Sequence, residues 1–419
     1  MSRKLFKERN TIIILVLITI LFNTLLFIRY YDVNARVLGD ARGYELIAKS
    51  IIEGKSDYDG MDIGEIVTPG YSLFIALPYY FLGYKPLYVY LLQILLNIIS
   101  IILFYKILKK VSSPFWAFAG SFWLILYYPL WRLNFQLMME TLTVLLLLLV
   151  LYSFQLYKRH KSLRILILHA VLWGVFIFVN NRFVAHLICL LILLIVSGQL
   201  LNFQIPGKKI IFIPIIVILC LTPWHIRQYK TYDKFVFFAP SRIPDQARDF
   251  NRFYSYEECL NNIKINRYNK HSKDKALAFL TSEKYQELKD KYEWRKKGIN
   301  RYYSRFWGFL QVIQTKPILM YGIDARIIPP ASILRNITEV IILLPMMLLF
   351  PLGLYRAFKN RNILMIISGI FVLCHWGIHT IIHYNPRYRL VIIPLIFMVA
   401  FYGLNSIHIK FKHIRALKK

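Results

Sequence analysis

The chain has 419 residues, of which 57% are hydrophobic, 16% aromatic and only 18% charged, with a formal net charge of +31. That balance lies outside the range of soluble globular domains. It also excludes a nucleic-acid-binding domain, because the basic residues fall between long apolar runs rather than along a groove.

A membrane span needs roughly 17–25 mostly apolar residues. Ten stretches qualify, at about 11–28, 87–105, 114–131, 134–156, 165–181, 183–204, 210–226, 337–355, 363–383 and 390–408. They predict an all-α polytopic membrane protein, with residues 1–419 as a single transmembrane domain. The first run lacks a small-residue cleavage site and reads as a retained anchor. Behind it lies a first outer loop, residues 29–86. There Asp40 to Gly54 places Tyr44, Ile47, Ala48 and Ile51 at helical spacing with Gly54 as a stop, which predicts an amphipathic helix along the interface. Residues 71–83 are apolar but too short to cross, and Pro78 interrupts them, so they read as a dipping segment. The fourth run carries Glu140 about one to two turns in from its outer end. A second long loop, residues 227–335, holds 22 Lys and Arg against 11 Asp and Glu, with helical periodicity from about 274 to 310. That mixture predicts a small helical cap. The ninth run holds His375, His379 and His383 on one face.

Charge sets the sidedness. Basic residues gather at Arg3–Arg9, Lys106–Lys110, Lys158–Arg164, Lys208–Lys209, Arg356–Arg361 and Lys410–Lys419, against a single acid, Glu8. Every second connection is therefore basic, as the positive-inside rule requires of an even number of spans with both termini in the cytoplasm. An eleventh crossing at 71–83 would invert every later loop.

The short connections on the other side carry arginine and no lysine: Arg132, Arg182, Arg387 and Arg389, with Arg227 following the seventh run. Guanidinium forks bind phosphate oxygens bidentately and keep their charge where hydration is poor, which suits a lipid phosphate at headgroup level; snorkelling to anionic lipids is the plainer use. Glu140, sunk into a span, requires a partner: an arginine, a divalent cation, or a place beside Asp40 in positioning an acceptor. Asp40 is a lone acid at a helix start, where capping is the commonest role. Held at the water-facing end of a bundle, it can also take a proton from an incoming hydroxyl. Histidines at i and i+4 can bind a metal, but no H-E-x-x-H glutamate accompanies them, and packing in the bundle interior explains them more simply. Cys189, Cys220 and Cys374 lie in spans and Cys259 in the long loop, so neither a disulfide framework nor zinc spacing is present.

Four stretches resemble the C-superfamily (GT-C) glycosyltransferases, in the branch of protein O-mannosyltransferases and of bacterial transferases that place aminoarabinose or other sugars on lipid A. Asp40 with Tyr44 resembles the acidic site of that family's first outer loop, and Thr68-Pro69-Gly70-Tyr71 its Pro-Pro-Gly-Tyr segment. Pro223-Trp224-His225-Ile226-Arg227-Gln228-Tyr229 resembles Pro-Trp-x-x-Arg-Asn-Tyr, and Pro386-Arg387-Tyr388-Arg389 resembles Arg-Tyr-x-x-Pro. The helix before Ser304-Arg305-Phe306-Trp307 also has its expected place. Ala41 stands where the eukaryotic mannosyltransferases have a second acid, and Gln228 where Asn is usual, which weakens the case for a protein acceptor.

The resemblance implies a GT-C-like fold in a bacterial plasma membrane, with the active site outside and a polyprenyl-phosphate sugar as donor. The acceptor would be a lipid or protein hydroxyl. Asp40 and Glu140 are the candidate catalytic residues. Arg227, Arg387, Arg389 and Arg182 are candidates for the donor phosphate, and Tyr44, Tyr71 and Tyr388 for substrate positioning. No cofactor is certain, and a divalent metal ion stays open. A rival reading keeps the topology without the reaction, as a lipid-linked glycan flippase. It predicts internal repeats and paired broken helices, and the sequence displays neither.

Overall fold

The computed structural model describes residues 8–31, 37, 40–55, 57–58, 61–62, 69–200, 209, 211–232, 337–381 and 386–417. The chain divides into two compact units, one of Met1–Arg242, Ile342–His375 and Arg387–Lys419, the other of Ile243–Ile341 and Trp376–Pro386. Few residues of the second are described, and the packing and side-chain geometry that follow belong to the first. Thr68, Cys259, His383 and all but the start of the predicted cap at 227–335 lie outside the described residues.

Apart from a two-residue antiparallel pair, Asp57–Tyr58 with Met61–Asp62, every regular element described is a helix. The helices are α1 (Glu8–Tyr30), α2 (Asp40–Ile52), α3 (Gly70–Leu82), α4 (Pro86–Lys109), α5 (Pro114–Leu126), α6 (Tyr128–Trp131), α7 (Glu140–His160), α8 (Leu163–Val179), α9 (Val184–Leu200), α10 (Phe212–Tyr232), α11 (Leu344–Lys359), α12 (Ile363–Ile381) and α13 (Ile393–Leu417). Among the described residues seven helices are long and apolar enough to cross a membrane: Glu8–Tyr30, Pro86–Lys109, Glu140–His160, Phe212–Lys230, Glu339–Lys359, Ile363–Thr380 and Arg387–Ile409. The shorter α5, α8 and α9 occupy the other three predicted spans. The protein is thus an all-α polytopic membrane protein.

The dipping segment is α3. At about 1.5 Å per residue its 13 residues reach about 20 Å, short of a hydrocarbon core of about 30 Å. Its Tyr71, Ile75, Ala76 and Tyr79 are buried, while Leu77, Tyr80 and Phe81 stay exposed.

Glycine sets two close approaches. A Cβ on Gly353 of α11 would run into the Val399 carbonyl of α13, and one on Gly403 would lie 2.8 Å from the Gly353 Cα. Small residues let these two backbones touch where lipid offers no hydrophobic drive. A Cβ on Gly70 would lie 2.5 Å from the Phe178 carbonyl oxygen at the end of α8, so the glycine of Pro69-Gly70-Tyr71 seats α3 against α8.

The fourth span begins later than predicted. Arg132–Phe135 forms a 3-10 turn, and the helix starts only at Glu140. A side chain from a neighbouring span bonds the irregular backbone: Gln93 Nε2 on α4 donates to the carbonyls of Asn134 (3.0 Å) and Gln136 (2.9 Å). Non-helical backbone at membrane depth is tolerated when it is bonded this way. Glu140 therefore stands in the first turn of α7 rather than one to two turns inside it, where the helix dipole favours an anion.

Candidate active site

The site grows from the amphipathic α2. Its buried stripe is Ala41, Tyr44, Glu45, Ile47, Ala48 and Ser50. The helix ends as its sequence predicts: Gly54 takes φ +66° and the Lys55 N–H bonds back to the Ser50 carbonyl at 2.9 Å. Asp40 is the first helical residue, and its carboxylate turns outward to Arg387 rather than serving only as a cap. Along α2, Glu45 accepts from Tyr79 of α3 at 3.1 Å and pairs with Lys49 at 3.1 Å, which fixes α2 on α3.

Arg387 is the centre of the arrangement. Its Nη2 donates to Asp40 Oδ2 at 2.8 Å, and its Nε lies 2.7 Å from Glu140 Oε1. The Asp40 side chain is 61% exposed, that of Arg387 18% and that of Glu140 2%. One guanidinium thus joins a carboxylate in water to a carboxylate in the bundle. Arg387 Nη1 also points at Met138 Sδ, 3.3 Å away. Glu140 Oε2 is buried without a hydrogen-bond partner among the described residues, so it can still accept from one more donor.

Tyr44 and Tyr71 line the same place. Their rings meet edge to face at 5.0 Å, and the Tyr44 hydroxyl lies 3.5 Å from Met139 Sδ. Burial, then the negative charge of Glu140, pushes the Tyr44 phenol up to about 12, while Arg182 and Arg387 pull the other way. Tyr44 is therefore a neutral hydroxyl at physiological pH.

Arg182, in the 3-10 turn Asn181–Phe183, lies over the Tyr388 ring at 3.7 Å, and Tyr388 follows Arg387 in the turn Pro386–Ile392. Arg389 is fully buried, with 1% exposure. Arg227, on α10, donates to Gln228 at 2.7 Å and lies over Trp224 at 5.4 Å.

Sequence reasoning missed the polar core behind these groups. Asn23 of α1 donates to Asn97 of α4 at 2.7 Å, Asn134 donates to Asn23 at 2.8 Å, and Thr141 of α7 donates to Asn134 at 2.7 Å. Tyr71 donates to Gln93 at 2.8 Å. This network joins three spans to the residue beside Glu140. The signal was available: Asn23, Gln93 and Asn97 are amides inside apolar runs, where an unpaired polar group is costly.

A metal ion was the other open possibility. Glu140 is paired with Arg387, and among the described residues no three His, Cys, Asp or Glu are grouped to hold one.

No family model and no curated protein sequence matches the chain. Solved structures do. ArnT from Cupriavidus metallidurans matches with a TM-score of 0.57, at 14% identity in the apo state and 15% bound to undecaprenyl phosphate, over 93% of this chain and 59% of that one. The oligosaccharyltransferase of Archaeoglobus fulgidus, tethered with an acceptor peptide containing the NVT sequon, matches with a TM-score of 0.57 at 13% identity, over 99% of this chain and 51% of its own. The chain has the fold of C-superfamily glycosyltransferases. It spans just over half the length of these neighbours. In this fold the ion pair Glu8–Lys109, at 2.8 Å, holds together the start of α1 and the end of α4. Asp40, after the other end of α1, and Glu140, Arg182 and Arg387 belong to the opposite side of the bundle by connectivity.

Proposed function

We propose that the chain is a glycosyltransferase that moves a sugar from a polyprenyl-phosphate donor to a lipid or protein hydroxyl, with inversion at the anomeric carbon. The observation that carries this reading is the Asp40–Arg387–Glu140 bridge: a water-facing carboxylate within 2.8 Å of a guanidinium that is anchored on a buried acid. The acceptor oxygen attacks the anomeric carbon, and its proton passes to Asp40. The bond from that carbon to the phosphate oxygen breaks, and polyprenyl phosphate departs with the electron pair. Arg387 holds Oδ2 of Asp40, and the proton goes to Oδ1. Arg387 and Arg182 meet the charge that grows on the phosphate. A phosphate leaves without a general acid, so one basic carboxylate suffices where glycoside hydrolysis uses two.

Glu140 anchors Arg387 and offers Oε2 to an acceptor hydroxyl, and the hydroxyls of Tyr44 and Tyr71 line the approach. Arg227 and Arg389 take supporting places on the phosphate side. The bias of basic residues to one set of connections supports a site on the extracytoplasmic face with both termini inside, and the resemblance supports a bacterial plasma membrane. The ArnT neighbour bound to undecaprenyl phosphate supports a lipid-phosphate donor.

The test incubates membranes containing the chain with radiolabelled polyprenyl-phosphate sugars, with and without chelator. Label is expected to move to a lipid or protein fraction, and Asp40→Asn to stop it while undecaprenyl phosphate binding is kept. Turnover above a few per cent by the purified Asn variant would refute Asp40 as the base. Donors that yield no transfer in any fraction would refute the activity.

A further inference from the structure

The two residues ahead of Glu140 take no part in the proposed reaction, yet each holds one of its hydrogen-bonding groups. Arg387 Nη1 donates to Met138 Sδ at 3.3 Å, and the Tyr44 hydroxyl donates to Met139 Sδ at 3.5 Å. Both methionines lie between the 3-10 turn Arg132–Phe135 and the start of α7, so one short irregular segment reaches two groups of the site.

Sulfur is a weak acceptor, and an unbranched thioether swings aside by rotation about single bonds. Tyr44 is 5% exposed and Met139 7%, so a phenol hydroxyl stripped of any acceptor there would carry a desolvation penalty. A carboxylate or amide oxygen in place of either sulfur would satisfy the N–H or O–H more fully, and would also keep it from a substrate. The carboxylates of the site are engaged on other nitrogens of Arg387, Glu140 beside Nε and Asp40 on Nη2, while Nη1 meets sulfur.

Both groups held on sulfur give a hydrogen, so what they receive in its place is an oxygen that only accepts, as those of a phosphate do. Arg182 adds a third such group. Its guanidinium lies over the Tyr388 ring at 3.7 Å, its side chain makes no hydrogen bond or ion pair among the described residues, and its charge, like that of Arg387, acts on the Tyr44 phenol. Asp40 and Glu140 oppose an anion here, and the two guanidinium groups balance them.

We infer that Met138 and Met139 are placeholders, whose thioethers hold Arg387 Nη1 and the Tyr44 hydroxyl in position until phosphate oxygens of the lipid donor take the hydrogens from both. The methionines are positioning residues, and Tyr44 becomes a ligand of the phosphate rather than of the sugar. That the phosphate belongs to a polyprenyl donor rests on the reading above.

Two measurements of undecaprenyl phosphate binding test this on the full chain in nanodiscs. Met138→Gln sets an oxygen acceptor against Nη1 and should weaken binding by about threefold to tenfold, the equivalent of one hydrogen bond to be broken. Met138→Leu, close in volume and without an acceptor, should bind as tightly as wild type or up to about fivefold tighter. Met139→Gln and Met139→Leu should follow the same order against the Tyr44 hydroxyl. Gln variants that bind no more weakly than the Leu variants would mean packing alone and overturn the inference. Carbon-13 methyl spectra of methionine-labelled protein, assigned through the two Leu variants, should show the Met138 and Met139 resonances move when the lipid is added. Resonances that stay in place while the lipid binds would overturn the displacement, whatever the variants do. Wild-type protein that binds no undecaprenyl phosphate would overturn the donor reading and this inference with it, whereas binding with the wrong order of variants overturns the inference alone.

Discussion

The two ends of Arg387 should respond to mutation in opposite ways. On the Glu140 side the partner is 2% exposed and the arginine 18%, so Arg387→Ala strands a carboxylate inside the bundle. Breaking a buried pair by removing one member typically costs about 3–5 kcal/mol. On the Asp40 side the carboxylate is 61% exposed, and water replaces the lost partner, so Asp40→Asn should cost no more than about 1 kcal/mol. Adding Glu140→Gln to Arg387→Ala removes the stranded charge, and the double variant should recover more than about 1 kcal/mol over the sum of the single losses. The assay is reversible unfolding in mixed micelles, read by tryptophan fluorescence, as a double-mutant cycle. If Arg387→Ala costs no more than Asp40→Asn, or the cycle shows no coupling, then Glu140 and Arg387 do not form a desolvated pair and the anchoring argument fails.

Three further outcomes are expected. The buried neutral phenol of Tyr44 contributes stability that is full below the ordinary tyrosine value of 10.0 and is lost as pH climbs through about 12. The unfolding midpoint should therefore fall over that interval, less steeply in Tyr44→Phe; parallel profiles would refute it. Asn134→Leu takes the acceptor from the Thr141 hydroxyl and the donor from Asn23 Oδ1, which should cost about 1–3 kcal/mol and lower sugar transfer, because the same turn sets the start of α7; unchanged turnover would separate the network from the site. Gly353→Ala drives a methyl into the backbone of α13, which cannot rotate away, and should cost about 1–3 kcal/mol in unfolding assays; a neutral result would place the helices farther apart than described.

Much of this protein follows from sequence alone. Crossing a membrane depends on the length of an apolar run, and sidedness on where lysines and arginines fall between runs; both are local properties of the chain. The helix from Asp40 with its stop at Gly54 was equally local, since spacing and one glycine encode it. Partners were not. Arg387 and Asp40 are 347 residues apart, and Arg387 and Met138 are 249 apart, so no spacing rule relates them. Arg387 and Arg227 looked equivalent as arginines beside spans, and only the packing of helices sent one to the two acids and kept the other beside Trp224. The start of α7 was missed for a related reason: Asn134 to Met139 is apolar enough to extend the span, but the Gln93 amide of α4 bonds two of its carbonyls and so lessens the need for a helix there. A hydrogen bond or ion pair acts over about 3 Å, and which side chains come that close is decided by how whole helices cross, an outcome of the chain as a unit.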